Sequence, residues 1–187
     1  MKINGASLAA NAGLAGLRRD AARDLAVVAA LVGVLASALG GVRVLQDPTP
    51  RMPVLFNWTP SLPYRVAWLQ HGPHPVQRGD YIVFSFAGEA HHRYPGLLGQ
   101  PFFKIVRGLP GDTVTVTGRQ VAINGQDVGR AKTKAYDRQP LAPIAPTVIP
   151  PRYYYVQGTS PDSFDSRYQE SGLVREEQVI GVVVPLF

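Results

Sequence analysis

Apolar and polar positions follow two different patterns on either side of about residue 46. From Leu25 to Val42, eighteen consecutive residues (LAVVAALVGVLASALGGV) carry no charge and are bounded by Asp24 and Arg43. A run with no polar face is not the amphipathic helix of a soluble core. As a helix it is long enough to cross most of the hydrocarbon of a bilayer. Arg18, Arg19 and Arg23 before it, with Lys2 further back, oppose Arg43 and Arg51 after it, a bias toward a cytoplasmic N-terminus. The pattern predicts a short cytoplasmic tail over residues 1–24, a transmembrane anchor over 25–45 and an exported domain over 46–187. Ala36-Ser37-Ala38 supports a competing reading, a small-residue cleavage site at which the apolar stretch is removed as a signal peptide.

Beyond residue 46 the apolar runs become short and rich in β-branched and aromatic residues. YIVFSF at 81–86, FFKIVR at 102–107, TVTV at 113–116, RYYYVQ at 152–157 and QVIGVVV at 178–184 are separated by Gly, Pro and Asp, and each predicts a strand. Val121-Ala122-Ile123 runs into Asn124-Gly125, a strong hairpin signal. The fold class is therefore mainly β, behind one N-terminal transmembrane helix. Five prolines between Pro140 and Pro151 make residues 139–151 an extended, polyproline-like excursion instead of a strand or helix. A stiff surface loop is the plain reading of it, and a substrate-facing rim the alternative.

Composition removes whole classes of chemistry. The chain has no cysteine, which excludes disulfides, thiolate zinc sites, iron–sulfur clusters and cysteine nucleophiles. Its formal net charge of +6 favours an anionic neighbour, but the basic residues stand singly, without the aromatic interleaving of a nucleic-acid groove. Nucleic acid is not expected as a partner. His71, His74, His91 and His92 lie in Gly/Pro-rich stretches with spacings unsuited to a metal site, and no Gly-rich phosphate loop precedes a helix. Neither a metal nor a cofactor is expected.

Two positions invite chemistry. Ser61 stands between Pro60 and Pro63, a conformationally fixed extended stretch in which an exposed serine could serve as a nucleophile, although Ser and Pro are also ordinary loop residues. Lys104 shares one strand face with Phe102 and Val106, so its ammonium projects from an apolar surface, and desolvation should lower its pKa. A neutral lysine amine is a competent general base toward a serine hydroxyl. The competing reading is an edge-strand lysine that discourages aggregation, or one that snorkels to solvent.

Four segments occur in a telling order: Ser61-Leu62-Pro63; Val76-Gln77-Arg78-Gly79-Asp80 running into Tyr81; Phe103-Lys104-Ile105-Val106-Arg107-Gly108-Leu109-Pro110-Gly111-Asp112; and Gly158-Thr159-Ser160-Pro161-Asp162-Ser163-Phe164-Asp165-Ser166-Arg167-Tyr168. From about Phe56 to Phe187 the chain resembles the type I signal peptidase (S26) family of Ser-Lys proteases. Within it, the single-spacer Ser-x-Pro, the Asp-Ser-Phe-Asp-Ser-Arg-Tyr block and Pro185-Leu186-Phe187 are most similar to the pilin-maturation peptidases of conjugative transfer (TraF type). The resemblance implies a signal-peptidase-like β-fold with Ser61 as nucleophile and Lys104 as general base. It implies an oxyanion hole formed by the Thr59 hydroxyl and the Ser61 backbone N–H, and Ser163 as the group that orients the lysine. Asp162 and Asp165 both fall where the family carries a supporting aspartate, with Arg167 as the partner, and spacing does not choose between them. Asp80 and Asp112 read as turn residues.

The expected protein is thus a single-pass inner-membrane serine endopeptidase with a periplasmic catalytic domain. It processes a pilin precursor or another membrane-embedded exported protein beside the lipid and the transfer apparatus, by hydrolysis or by closing a cyclic product. Two departures bear on specificity. Signal peptidases carry Ser-Met-x-Pro and a Gly-Asp-Asn-Arg-type block where this chain has Ser61-Leu62-Pro63 and Gly158-Thr159-Ser160-Pro161; against the conjugative subgroup, Tyr64-Arg65 stands where a small residue such as Gly is usual after Ser-x-Pro. The alternatives are a general signal peptidase that removes leader peptides, and a non-catalytic membrane-anchored component of a secretion or mating-pair assembly.

Overall fold

The computed structural model describes residues 23–42, 53–70 and 74–186. Lys2, Arg18, Arg19, Arg43, Arg51, His71 and Phe187 lie outside the described residues, as do the tail before Arg23 and the last three positions of the expected anchor. The chain divides into two units, Met1–Gln46 and Asp47–Phe187.

In the first unit one helix, α1, spans Arg23–Val42, is exposed along its whole length, and is long and apolar enough to cross a membrane. Its one hydroxyl within the uncharged run is satisfied internally, Ser37 Oγ donating to Gly33 O at 2.8 Å. That back-bond lets a polar side chain sit in an apolar helix without an unmet hydrogen bond.

The second unit is built from antiparallel strands: β1 (Val54–Phe56), β2 (Val66–Gln70), β3 (Tyr81–Ser85), β4 (Pro101–Gly108), β5 (Thr113–Thr117), β6 (Gln120–Ile123), β7 (Gln126–Arg130), β8 (Thr147–Val148), β9 (Tyr153–Gln157), β10 (Val174–Arg175) and β11 (Val179–Pro185). They form one seven-stranded sheet in the order β1-β2-β11-β3-β4-β9-β10, and a four-stranded sheet in the order β7-β6-β5-β8. The Asn124-Gly125 turn closes the β6–β7 hairpin with Ile123 opposite Gln126. Both turn residues have positive φ, 51° and 81°, as a primed two-residue turn requires.

Strand β4 lies between β3 and β9, with Ile82 opposite Lys104 and Ile105 opposite Gln157. Phe103 and Ile105 point into a core with Leu62, Tyr64, Leu69 and Val83. Phe102 and Val106 point the other way, among Ile82, Phe84, Val156 and Phe164. Burial on both faces explains why the run around Lys104 is nearly continuous in apolar residues instead of alternating. It also removes the edge-strand reading of that lysine.

The proline-rich segment corrects an expectation. Its Thr147–Val148 pairs with β5, Pro143 bridges to Tyr168, and Ile144 and Ile149 are buried with Val114, Val121, Ile123 and Tyr155. Ile144 and Ile149 thus close one side of the smaller sheet's core, while Pro140, Ala145, Pro146, Val148, Pro150 and Pro151 stay exposed. Proline is compatible here because β8 is an edge strand that needs few ladder bonds.

Candidate active site

Ser61 sits in the connection between β1 and β2, and both ends of that connection are tied by Asn57. The Asn57 backbone N–H donates to Arg65 O at 2.8 Å, and its Nδ2 donates to Tyr64 O at 2.9 Å. The Asn57 Oδ1 receives Thr59 N–H at 3.2 Å and the Thr59 hydroxyl at 3.0 Å. Thr59 Oγ1 lies 2.8 Å from Ser61 Oγ. On the far side Thr159 N–H donates to Ser61 O at 2.9 Å. This tethering corrects the picture of a protruding serine on an extended stretch: Pro60 and Ser61 form a turn, and Ser61 is only 6% exposed.

Lys104 is likewise buried, at 4% exposure, with its nitrogen 5.5 Å from the centre of the Phe102 ring. Desolvation is the main influence on it and pulls its pKa from 10.5 down to about 8; Asp165 nearby opposes the shift and Arg167 assists it. The amine makes no ion pair among the described residues, because Asp165 is already committed. Arg167 Nε and Nη2 each approach a carboxylate oxygen of Asp165 at 2.8 Å, and both side chains are buried.

Gly158 is where the segments meet. It directly follows Gln157, the last residue of β9, which pairs with Ile105 next to Lys104 in β4. A Cβ on Gly158 would lie 2.2 Å from Ser163 Oγ and 2.6 Å from Ser61 O, so only glycine allows the approach. The Gly158 N–H donates to Asp165 Oδ2 at 3.0 Å, and Arg167 Nη2 donates to Ser163 O at 3.0 Å. Ser163 Oγ is buried without a hydrogen-bond partner. Such a group, without a partner among the described residues, is costly unless something uses it, and it lies against Gly158.

The two aspartates left open by spacing are separated by burial. Asp165 is enclosed, whereas Asp162 is exposed and pairs with Lys132 at the surface. Asp80 accepts from Gln77 N–H, and Asp112 from Leu109 N–H, Asn124 and Arg78, so both close turns. Sequence reasoning missed Asn57 altogether. A carboxamide four residues before the serine, in an otherwise apolar segment, was the available signal. Among the described residues no group of three or more His, Asp or Glu side chains could hold a metal ion. A cavity of about 1300 Å³ opens beside the serine turn, lined by Pro60, Phe164, Tyr168, Tyr136 and Leu141, with charged residues of both signs around it.

The chain is similar to several known proteins. A conjugal transfer protein TraF from Agrobacterium fabrum (strain C58 / ATCC 33970) is 30% identical over 145 residues, covering 70% of this chain and 80% of that protein. A signal peptidase I from Leptolyngbya laminosa is 35% identical over 114 residues, covering 60% of this chain and 53% of that protein. Among solved structures, a signal peptidase I from Enterococcus faecalis V583 is 26% identical and covers 60% of this chain and all of its own, with a TM-score of 0.37. The family model described as signal peptidase, peptidase S26, matches residues 27–187, so the chain belongs to the S26 signal peptidase family of serine peptidases.

Proposed function

We propose that this chain is a membrane-anchored endopeptidase that uses Ser61 as nucleophile and Lys104 as general base, and that it processes a pilin precursor for conjugative transfer. The observation that carries the reading is that Ser61 and Lys104 are both buried, with Gly158, the residue that follows β9 next to the Lys104 strand, packed against Ser61 O and Ser163 Oγ. With a pKa of about 8, about a tenth of the amine is neutral at pH 7, compared with a few molecules in ten thousand at 10.5.

In the proposed reaction Ser61 Oγ attacks the scissile carbonyl carbon as its proton passes to Lys104 Nζ, and the carbonyl π pair moves onto oxygen. The Ser61 N–H and the Thr59 hydroxyl hold that oxyanion; one such donor is typically worth about 3 kcal/mol. Collapse expels the amine, which takes the proton from Lys104 and leaves an acyl ester on Ser61. Attack by water, with Lys104 again taking the proton, releases a linear product. Attack by the substrate's own N-terminal amine closes a cyclic one, favoured when that amine is held close. Ser163 orients the Lys104 amine, and the Asp165–Arg167 pair braces the segment that carries Ser163.

The relative named as a conjugal transfer protein supports a role in conjugative transfer, and the pilin precursor is the substrate that the resemblance to the pilin-maturation peptidases implies. A lipid-facing setting is supported by α1 and by exposed apolar residues on the catalytic unit: Trp68 lies between the half-buried Val54 and the exposed Val184 in the sheet register, and Phe56 and Trp58, both exposed, stack on each other. Aromatic side chains of this kind favour a membrane interface. In this reading the catalytic unit lies in the periplasm. The signal peptidase I relative favours a second reading, leader-peptide removal from many exported proteins.

Intact mass of a pilin precursor co-expressed with wild type, and separately with Ser61→Ala, tests the proposal. A mature species formed only with wild type supports it, and one lighter than the linear product by a water identifies cyclisation. An unprocessed pilin precursor, alongside shortened exported proteins that depend on Ser61, replaces it with the second reading. Processing that survives Ser61→Ala refutes both.

A further inference from the structure

The Thr59–Ser61 hydrogen bond does not by itself reveal which hydroxyl donates, but its neighbours settle the direction. Asn57 Nδ2 is spent on Tyr64 O, and Thr59 N–H points at the other end of the same carboxamide. Both bonds require Oδ1 to face Thr59, so the single Thr59 hydroxyl proton goes to Asn57 at 3.0 Å. Thr59 Oγ1 is then an acceptor, and Ser61 Oγ–H is the donor across 2.8 Å.

We propose that Asn57 is a positioning residue for the reaction, its carboxamide setting the direction of the hydrogen-bond chain that runs through Thr59 to Ser61. The inference rests on the Ser61–Lys104 reading above. In the resting site the Ser61 O–H points to Thr59, and it turns to Lys104 for the transfer. Without Asn57 the Thr59 hydroxyl loses the acceptor that holds it, and it must be recruited from other rotamers when the oxyanion forms. Asn57 also fixes the Thr59 oxygen beside the serine, so that its proton is one rotation from the place where oxyanion charge develops. A donor placed before the substrate arrives is worth more than one that must be recruited. Asn57 is 3% exposed and within a polar chain of three side chains, so it does not touch the substrate itself.

The test uses the full chain in detergent and p-nitrophenyl acetate as probe, reading the acylation rate from p-nitrophenolate release between pH 6 and 9.5. Peptide mass locates the acetyl group. The expected result is about a tenfold loss for Asn57→Ala and about a hundredfold loss for Thr59→Val, the usual scale for one oxyanion donor. The double variant should be no slower than Thr59→Val, because Asn57 acts through that hydroxyl. Asn57→Asp keeps the acceptor for Thr59 but loses the donor to Tyr64 O, so its rate should fall between those of Asn57→Ala and wild type, with the pH midpoint of the rate unchanged. Losses that multiply in the double variant, no recovery in Asn57→Asp, or a midpoint that moves up as water reaches Lys104 would each overturn the inference while leaving the Ser61–Lys104 reading in place. Should Asn57→Ala fail to fold by its thermal melt, Asn57→Asp against Thr59→Val decides the matter alone. Wild type that carries no acetyl on Ser61 overturns the underlying reading and this inference with it.

Discussion

Replacing Lys104 by methionine should abolish processing and at the same time stabilise the protein. The lysine is buried on the strand face it shares with Phe102, Val106 and Ile82, with no ion-pair partner among the described residues, and its pKa falls from 10.5 to about 8 because the folded protein resists the charged form. Between pH 8 and 10.5 the unfolded chain holds a proton that the folded chain does not, so the stability of wild type rises with pH across this window. Below pH 8 the group is charged in both states and the full cost of burying it is present. At 1.36 kcal/mol per pH unit that cost is about 3 kcal/mol. Methionine matches the lysine stem in volume and carries no charge, so most of this cost should be recovered. For a domain of this size, the gain corresponds to about 10 °C in Tm at pH 7. Thermal unfolding of the full chain in detergent, followed by near-ultraviolet circular dichroism at a series of pH values, reads it directly. The variant should melt well above wild type at pH 7, and the gap should close toward pH 10.5. Equal melting at pH 7, or a gap that stays constant with pH, would refute the claim that charge burial costs stability here.

Other perturbations probe the remaining parts. The processing rate should climb from pH 6 with a midpoint near 8, as Lys104 loses its proton; a rate flat over pH 6 to 9 in a kinetic pH series would contradict its role as base. Asp165→Asn leaves the buried Arg167 charge without its counter-charge and should cost about 3 to 5 kcal/mol in a urea titration, whereas Asp162→Asn at the surface should stay within about 0.5 kcal/mol. Comparable losses for the two would show that burial does not separate them. Gly158→Ala drives a methyl into Ser163 and the Ser61 carbonyl and should cost activity first and stability second; an active, normally melting variant would mean that the close approach is dispensable.

The sequence revealed those elements whose own residues decide their conformation. Thr113–Thr117 and Tyr153–Gln157 are β-formers, Asn124-Gly125 carries its turn chemistry in two residues, and the uncharged run over 25–42 has one low-energy outcome as a helix. Strands such as Val54–Phe56 and Val66–Gln70 were not visible, because three or five mixed residues acquire strand geometry only from their neighbours in the sheet. Val66–Gln70 lies between Val54–Phe56 and Val179–Pro185, and the latter is more than a hundred residues away in sequence. Burial in the proline-rich segment was hidden for the same reason: Ile144 and Ile149 are buried by contacts with the smaller sheet, and local composition carries no record of that. In the site, Ser61 and Lys104 were legible as residue types in apolar or proline-fixed settings. Which aspartate is enclosed, and the part played by Asn57, depend on where a carboxylate or an amide points after folding.

The position of β11 makes assembly of the site a late event in synthesis. The hairpin that presents Ser61 and the strand that carries Lys104 belong to the same sheet but are not neighbours in it, because β11 lies between β2 and β3. Among the described strands it is the one translated last. A nascent chain in which Ser61 and Lys104 have both left the ribosome therefore still lacks the strand that joins their two halves. The two halves of the candidate site are therefore held in one sheet only once residues 179–185 have paired with β2 on one side and β3 on the other.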